Sequence, residues 1–247
     1  MTRSGFKMQR VLILLAALAG VLVTASLGQW QLGRAAQKQA LVDAQSAKAA
    51  LPPLDGSALG QAGDSAENRE GLLHRAVRLR GHWLSKGTVY LDNRQMQGRA
   101  GFYVVTPLIL ENSNTVILVQ RGWVPRSFTD RAALPAISTP EGVVELEGHL
   151  SSWPSRMYAL GGDEAGPIRQ NLDFEVYRRQ TTPSLLEVSV VQSGPASEGL
   201  LRDWPVVASG IEKHLGYAFQ WFGLSALIVL LYVWFQIVRP FRKNTAA

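Results

Sequence analysis

The chain has 247 residues and a formal net charge of +6, from 25 lysines and arginines against 19 acidic residues. This length allows one medium-sized folded domain together with membrane segments. The absence of cysteine excludes structural disulfides, thiolate metal sites and covalent c-type haem attachment. With only four methionines, the composition also argues against a copper carrier that uses sulfur ligands.

Two long stretches of the chain carry no charge. They cover residues 11–33 and 215–238, which are 23 and 24 residues long. A bilayer hydrocarbon core of roughly 30 Å is crossed by about 20 helical residues. We therefore predict transmembrane helices over residues 11–33 and 214–238. The segment after the first stretch is rich in helix formers, so this helix is expected to continue to about residue 50.

The excess positive charge lies next to these two stretches. Its six residues are Arg3, Lys7, Arg10, Arg239, Arg242 and Lys243. Without them, 19 basic residues balance 19 acidic ones, so the folded part shows no basic excess of the kind that nucleic-acid binding needs. The positive-inside rule predicts that the tails, residues 1–10 and 239–247, are cytoplasmic and that the chain between the helices lies across the membrane.

A cleaved signal peptide is the alternative for the first stretch. Basic residues precede an apolar run over residues 11–23, and residues 23–25 offer a cleavage site. A stripe of small residues argues against cleavage, since such stripes allow membrane helices to pack closely. This stripe recurs every four residues and consists of Ala16, Gly20, Thr24 and Gly28. We therefore expect the first helix to stay in place and to form a hairpin with the second.

The middle of the chain predicts a β-rich domain. Residues 51–71 are rich in Gly, Ala, Ser and Asp and are predicted to be a linker, with the domain following over residues 72–213. Alternation of Val77, Leu79 and Gly81 with polar neighbours predicts a half-buried strand. Further strands are predicted over residues 88–92, 101–110, 115–123, 143–150 and 184–191. The expected fold class is an α+β membrane protein, with two terminal transmembrane helices flanking a mostly antiparallel extracytoplasmic β domain or small barrel.

His214 lies at the predicted start of the second helix. An ionisable side chain at such an edge is costly unless it has a partner, which makes it a functional-site candidate. Counting back from residue 238 places it roughly 7 Å outside the hydrocarbon, in the headgroup layer. It is either an interfacial polar residue beside the aromatic anchors Tyr217 and Trp221, or an axial ligand to haem iron.

A helical wheel separates two faces of the second helix. The face of His214 also carries Ala218, Trp221 and Ser225, whereas Gly216 and Gly223 point the opposite way. Because glycine permits close approach, we expect the glycine face to meet the small-residue stripe of the first helix. The His214 face would then look outward, toward lipid, a ligand or another protein.

Three other residues remain open between structural and functional roles. Trp30 and Arg34, one turn apart, are either an aromatic anchor with a snorkelling arginine or a contact to an anionic group such as a propionate. Arg121 follows a buried run and is either structural or functional. The sequence has no nucleophile elbow, phosphate loop or His-Glu-x-x-His helix, so we expect no enzyme activity.

Four segments together resemble the surfeit locus protein 1 family of cytochrome c oxidase assembly factors. They are residues 27–34 with their Gly-Gln-Trp-Gln and Arg pattern, 91–108, 119–125 and 214–224. In the third segment, Gln120 stands where the family commonly has asparagine. The segments occur in the family's order over nearly the whole chain.

This resemblance implies a two-pass protein of the bacterial inner membrane, with cytoplasmic termini and a periplasmic main domain. It implies transient binding of haem a, with His214 as the iron ligand. Tyr217, Trp221, Trp30, Arg34 and Arg121 are then the candidates for further contacts with the cofactor. The implied partners are cytochrome c oxidase subunit I, haem a synthase and the lipid bilayer, with no nucleic acid. The alternative is a scaffold that stabilises subunit I during assembly without carrying haem.

Overall fold

The computed structural model describes residues 3–62, 65–111, 113–127, 129–130, 133–157, 166–205 and 209–244. It divides into a helical unit, residues 1–44 with 207–247, and a β unit, residues 45–206. The helices are α1 (Arg3–Ala49), α2 (Gly56–Ala62), α3 (Ala66–Leu72), α4 (Phe174–Thr181), α5 (Ile211–Tyr232) and α6 (Arg239–Asn244). The strands are β1 (Ala76–Trp83), β2 (Val89–Met96), β3 (Arg99–Leu110), β4 (Val116–Pro125), β5 (Val143–Ser151), β6 (Ile168–Arg169) and β7 (Leu185–Gln192).

The helical unit contains two helices long and apolar enough to cross a membrane. Their candidate spans are Met8–Ala49 and Ile211–Phe241. The second span begins three residues before the predicted residue 214, and a π-helical turn over Val233–Val238 joins α5 to α6. The predicted tails are helical where the structure describes them, and their ends, residues 1–2 and 245–247, lie outside the described residues. The expected fold class, two terminal membrane helices flanking a β-rich domain, is confirmed.

The strands form a seven-stranded sheet in the order β1-β5-β7-β4-β3-β2-β6. The long strand β3 pairs with β2 over Arg99–Val105 and, further along the same strand, with β1 over Leu108–Leu110. This second pairing closes β1, β5, β7, β4 and β3 into a small barrel and leaves β2 and β6 as an extension. Pairing is mostly antiparallel, as predicted, with β4–β7 and β2–β6 parallel.

Alternating side chains supply the core of this barrel. Along β1, Val77, Leu79 and Gly81 are buried while Arg78 and Arg80 are exposed, which confirms the half-buried strand expected from the period of two. Strand β4 is buried on both faces. Ile117 and Val119 belong to one apolar cluster, and Val116 and Leu118 to another that includes Tyr177 of α4.

The segment predicted as a linker, residues 51–71, instead contains α2 and α3. The carboxylate of Asp55 accepts hydrogen bonds from the backbone N–H groups of Ser57 and Ala58, and Ser65 caps α3 by accepting from the N–H of Asn68. These are ordinary helix-start interactions. Leu59 of α2 is 2% exposed and joins the core cluster of the barrel. The prediction was wrong because it rested on composition, which does not show that Asp55 and Ser65 start helices or that Leu59 is buried.

We predict that Gly101→Ala destabilises the β unit. A Cβ atom at residue 101 would lie 2.2 Å from the carbonyl oxygen of Val124 and 2.6 Å from the indole of Trp123. That indole is 1% exposed and held by a 2.9 Å hydrogen bond to the carbonyl of Arg94, so it cannot move aside without loss. We expect the free energy of unfolding to fall by about 1–3 kcal/mol.

The measurement is urea unfolding of the full chain in detergent, followed by tryptophan fluorescence. Gly71→Ala is the matched control, because a Cβ at residue 71 meets nothing within 4 Å. Equal stability of the two variants would contradict the close packing described for Gly101.

Candidate functional site

The imidazole of His214 lies in the first turn of α5 and contacts α1. Its Nδ1 atom is 2.7 Å from Oε1 of Gln31. An amide oxygen can only accept, so Nδ1 carries the hydrogen and donates it. In a neutral imidazole this leaves the lone pair on Nε2, which has no hydrogen-bond partner among the residues that the structure describes. One ring nitrogen is therefore fixed by the neighbouring helix and the other is available.

Lys38 and Arg34, two cationic residues of α1, lie near this imidazole. Lys38 lies over the start of α5, since a Cβ at Gly210 would come 2.9 Å from its Nζ atom. The Arg34 guanidinium donates a 3.1 Å hydrogen bond to Oε1 of Gln37 and remains exposed. The imidazole thus has two cations of α1 nearby, a setting that suits an anionic group.

A second polar pair joins the two helices further along. The hydroxyls of Thr24 and Ser225 are 2.6 Å apart, and both side chains are buried. Thr24 donates its single hydroxyl hydrogen within its own helix, with Oγ1 2.8 Å from the carbonyl of Gly20, so the Ser225 hydroxyl is the donor to Thr24. Hydrogen bonds between membrane helices contribute about 0.6 kcal/mol each on average. Together with the His214–Gln31 pair, this bond fixes which faces of α1 and α5 meet.

Small residues of α1 allow this contact. A Cβ at Gly28 would lie 2.8 Å from the ring of Phe222, and one at Gly20 would lie 3.3 Å from Ile228. Gly20, Thr24 and Gly28 of the predicted stripe therefore do face α5, as the helical period indicated. The aromatic ring of Phe222 occupies the space that glycine leaves.

The predicted face of α5 is wrong. Gly216 and Gly223 are exposed, and a Cβ at either meets nothing within 4 Å. The side that meets α1 carries His214, Ser225 and the buried Ala218. The reason is physical: polar side chains on both helices gain partners across this contact, whereas glycine only permits approach. The helical wheel grouped the residues of α5 correctly, but the polar face, and not the glycine face, forms the contact with α1.

The aromatic residues predicted as further contacts on the helices are more exposed than the pairs that join α1 and α5. Trp30 is 57% exposed and Tyr217 is 52% exposed, so both rings present apolar surface. Trp221 is half-buried, and its carbonyl oxygen lies 3.2 Å from the Ser225 hydroxyl oxygen. The sequence interpretation missed Gln31. The sequence does indicate this residue, because Thr24, Gln31 and Lys38 repeat every seven residues and therefore share one face of α1.

Arg121 has a different setting, inside the β unit. The register of β3 and β4 shifts between Val104 and Val105, which leaves Arg121 as the extra residue of a β-bulge. Its side chain is 0% exposed. Nη2 donates to Glu198 Oε2 and to the Ser138 carbonyl, both at 2.7 Å, and the guanidinium lies 4.7 Å from the Trp83 ring centre.

Arg202 completes this buried cluster. Its Nε atom donates a 2.8 Å hydrogen bond to the carbonyl of Arg121, and its side chain is 4% exposed. Burial lowers the pKa of Arg202, the carboxylate of Glu198 opposes this shift, and the charge of Arg121 adds to it. The carboxylate of Glu198 thus serves two guanidiniums, and the contacts of Arg121 bind barrel segments together.

The chain matches the family model described as "SURF1 family" over residues 18–226. A SURF1-like protein of Rickettsia felis is 27% identical over 217 residues, which cover 84% of this chain and 89% of the relative. Surfeit locus protein 1 of Rattus norvegicus is 27% identical, covering 85% of this chain and 70% of the rat protein. A shorter match, 30% identical over 98 residues, joins 40% of this chain to 24% of the cytochrome oxidase assembly protein SHY1 of Saccharomyces cerevisiae.

The helix pairing gives a direct crosslinking prediction. The chain has no cysteine, so any disulfide must come from introduced residues. We expect Thr24→Cys with Ser225→Cys to crosslink on mild oxidation in membranes, since the native hydroxyls are 2.6 Å apart. Thr24→Cys with Gly223→Cys is the control and is expected to stay reduced, because Gly223 faces open space. Gel mobility after oxidation measures both, and a crosslink only in the control pair would overturn the pairing.

A second prediction concerns the buried arginine. Arg121→Ala would leave the Glu198 carboxylate and the Ser138 carbonyl without their 2.7 Å donor, and we expect a loss of about 3–5 kcal/mol in unfolding free energy. Arg126→Ala is the control. It breaks a partly exposed 3.4 Å ion pair with Asp92 and should cost less than about 1 kcal/mol. Urea unfolding compares them, and a small effect of Arg121→Ala would show that its contacts contribute little to stability.

Proposed function

The chain belongs to the SURF1 family, and from this membership we propose that it acts in cytochrome oxidase assembly by binding haem a for insertion into oxidase subunit I. The similarity to the yeast cytochrome oxidase assembly protein SHY1 supports the assembly step. The haem-binding step is supported by the geometry of α1 and α5. We further propose that the chain catalyses no bond chemistry itself.

One observation carries the haem proposal. At the start of a helix able to span a membrane, His214 keeps Nε2 free while Nδ1 donates to Gln31. Neutral imidazole with one available nitrogen is the form that ligates haem iron.

The residues around His214 also fit the rest of a haem. Arg34 and Lys38 supply two cations for two propionate carboxylates, through charge-assisted hydrogen bonds. The exposed rings of Trp30 and Tyr217 offer apolar surface for a flat macrocycle. When bound, haem supplies the redox-active iron, and the chain's own residues bind, orient and release it.

The proposed placement follows from the charge pattern of the sequence. Basic tails favour cytoplasmic termini, which would put the start of α5 and the β unit at the periplasmic side of the inner membrane. Haem a synthase would supply the cofactor and subunit I would accept it. Arg121, with a fully buried side chain, would support this work by holding the barrel together rather than by touching haem.

We predict that His214→Ala loses most of the haem a that copurifies with the full chain. The measurement is co-expression with haem a synthesis enzymes, followed by pigment extraction and the Soret spectrum of the purified protein. His82→Ala is the control, because His82 is exposed on β1 and its loss removes no ligand from the helices.

An unchanged haem content and spectrum in His214→Ala would remove His214 as the ligand. If that strain also assembled oxidase with normal haem content, the scaffold function would be favoured instead.

A further inference from the structure

We propose that Gln31 is a positioning residue for the haem-ligating histidine. By accepting the Nδ1 hydrogen, it selects the tautomer of His214 whose Nε2 lone pair can meet iron. This inference rests on the proposed function, because it concerns how the same imidazole is presented.

The contact is long-range in sequence and short in space. Gln31 and His214 are 183 residues apart and lie on different helices, yet their side-chain atoms are 2.7 Å apart. Both side chains are half-buried. Since Oε1 carries lone pairs and no hydrogen, the direction of this hydrogen bond is set by chemistry: the ring donates and the amide accepts.

This bond decides what the imidazole can do. A histidine bound to a metal through one nitrogen almost always donates its other N–H to a carboxylate, a carbonyl or water, and that partner fixes the ring. Gln31 provides that carbonyl here. Without it, the hydrogen could sit on either nitrogen and the ring could turn about its side-chain bonds, so only a fraction of molecules would present Nε2.

Gln31 could instead serve only as a tie between the helices. The structure offers a matched tie for comparison, because Thr24 and Ser225 join the same two helices through a buried 2.6 Å hydrogen bond. If pairing alone matters, loss of either tie should affect haem binding alike. If positioning matters, only loss of the Gln31 oxygen should change the spectrum of bound haem.

The experiment titrates the purified full chain in detergent with haem a and records affinity and visible spectrum. Gln31→Leu removes the acceptor and is expected to weaken binding about 10- to 100-fold and to shift the Soret band. Gln31→Glu keeps an acceptor oxygen at the same reach and is expected to restore binding. Thr24→Val removes the other tie and is expected to leave affinity and spectrum as in the unaltered chain.

Two results would overturn the role of Gln31 while leaving the proposed function in place. One is an unaltered affinity and spectrum in Gln31→Leu, when His214→Ala has lost both. The other is an equal loss in Gln31→Leu and Thr24→Val, which would make Gln31 a tie only. If His214→Ala kept the unaltered spectrum, His214 would not be the iron ligand, and Gln31 would have no positioning role.

Discussion

A polar side chain that is shielded from water by packing needs a partner within the protein, and this constraint organises the helical unit. His214 and Ser225 of α5 each find a partner on α1, in Gln31 and Thr24. Because these two pairs hold the helices close together, Ala218 is buried and side chains of α5 pack against the glycines of α1. The orientation of the imidazole is therefore a consequence of helix pairing, which links the packing of the hairpin to the chemistry available at its end.

The same constraint acts on a charge inside the β unit. A guanidinium with no exposed surface needs partners inside the fold, and Arg121 donates through Nη1 and Nη2 to Glu198, Ser138 and Thr139, while its Nε has no partner among the described residues. The bulge in β4 gives this residue its place, because the additional residue shifts the register against β3. A buried ion pair contributes little net stability but is costly to break, so it favours one arrangement of the barrel over its alternatives.

Much of the fold follows from local patterns in the sequence. Alternation identified β1, and uncharged length identified both membrane-capable helices. The two-residue strand β6 is too short to show a period. The partners of the candidate site were harder to predict, because Gln31 is 183 residues from His214, and Glu198 is 77 residues from Arg121. Periodicity shows which residues share a face, but the partner of that face depends on contacts far along the chain.

The identity of the acceptor bears on what a haem carrier must do. A carboxylate behind an imidazole makes the other nitrogen more basic and a stronger iron ligand, whereas a neutral amide oxygen orients the ring with less polarisation. A protein that stores haem gains from the stronger bond, while one that passes haem onward needs a bond that a tighter acceptor site can replace. If the chain carries haem as proposed, Gln31, as an amide on a packed helix, would combine firm orientation with moderate ligand strength, which is the combination that transfer requires.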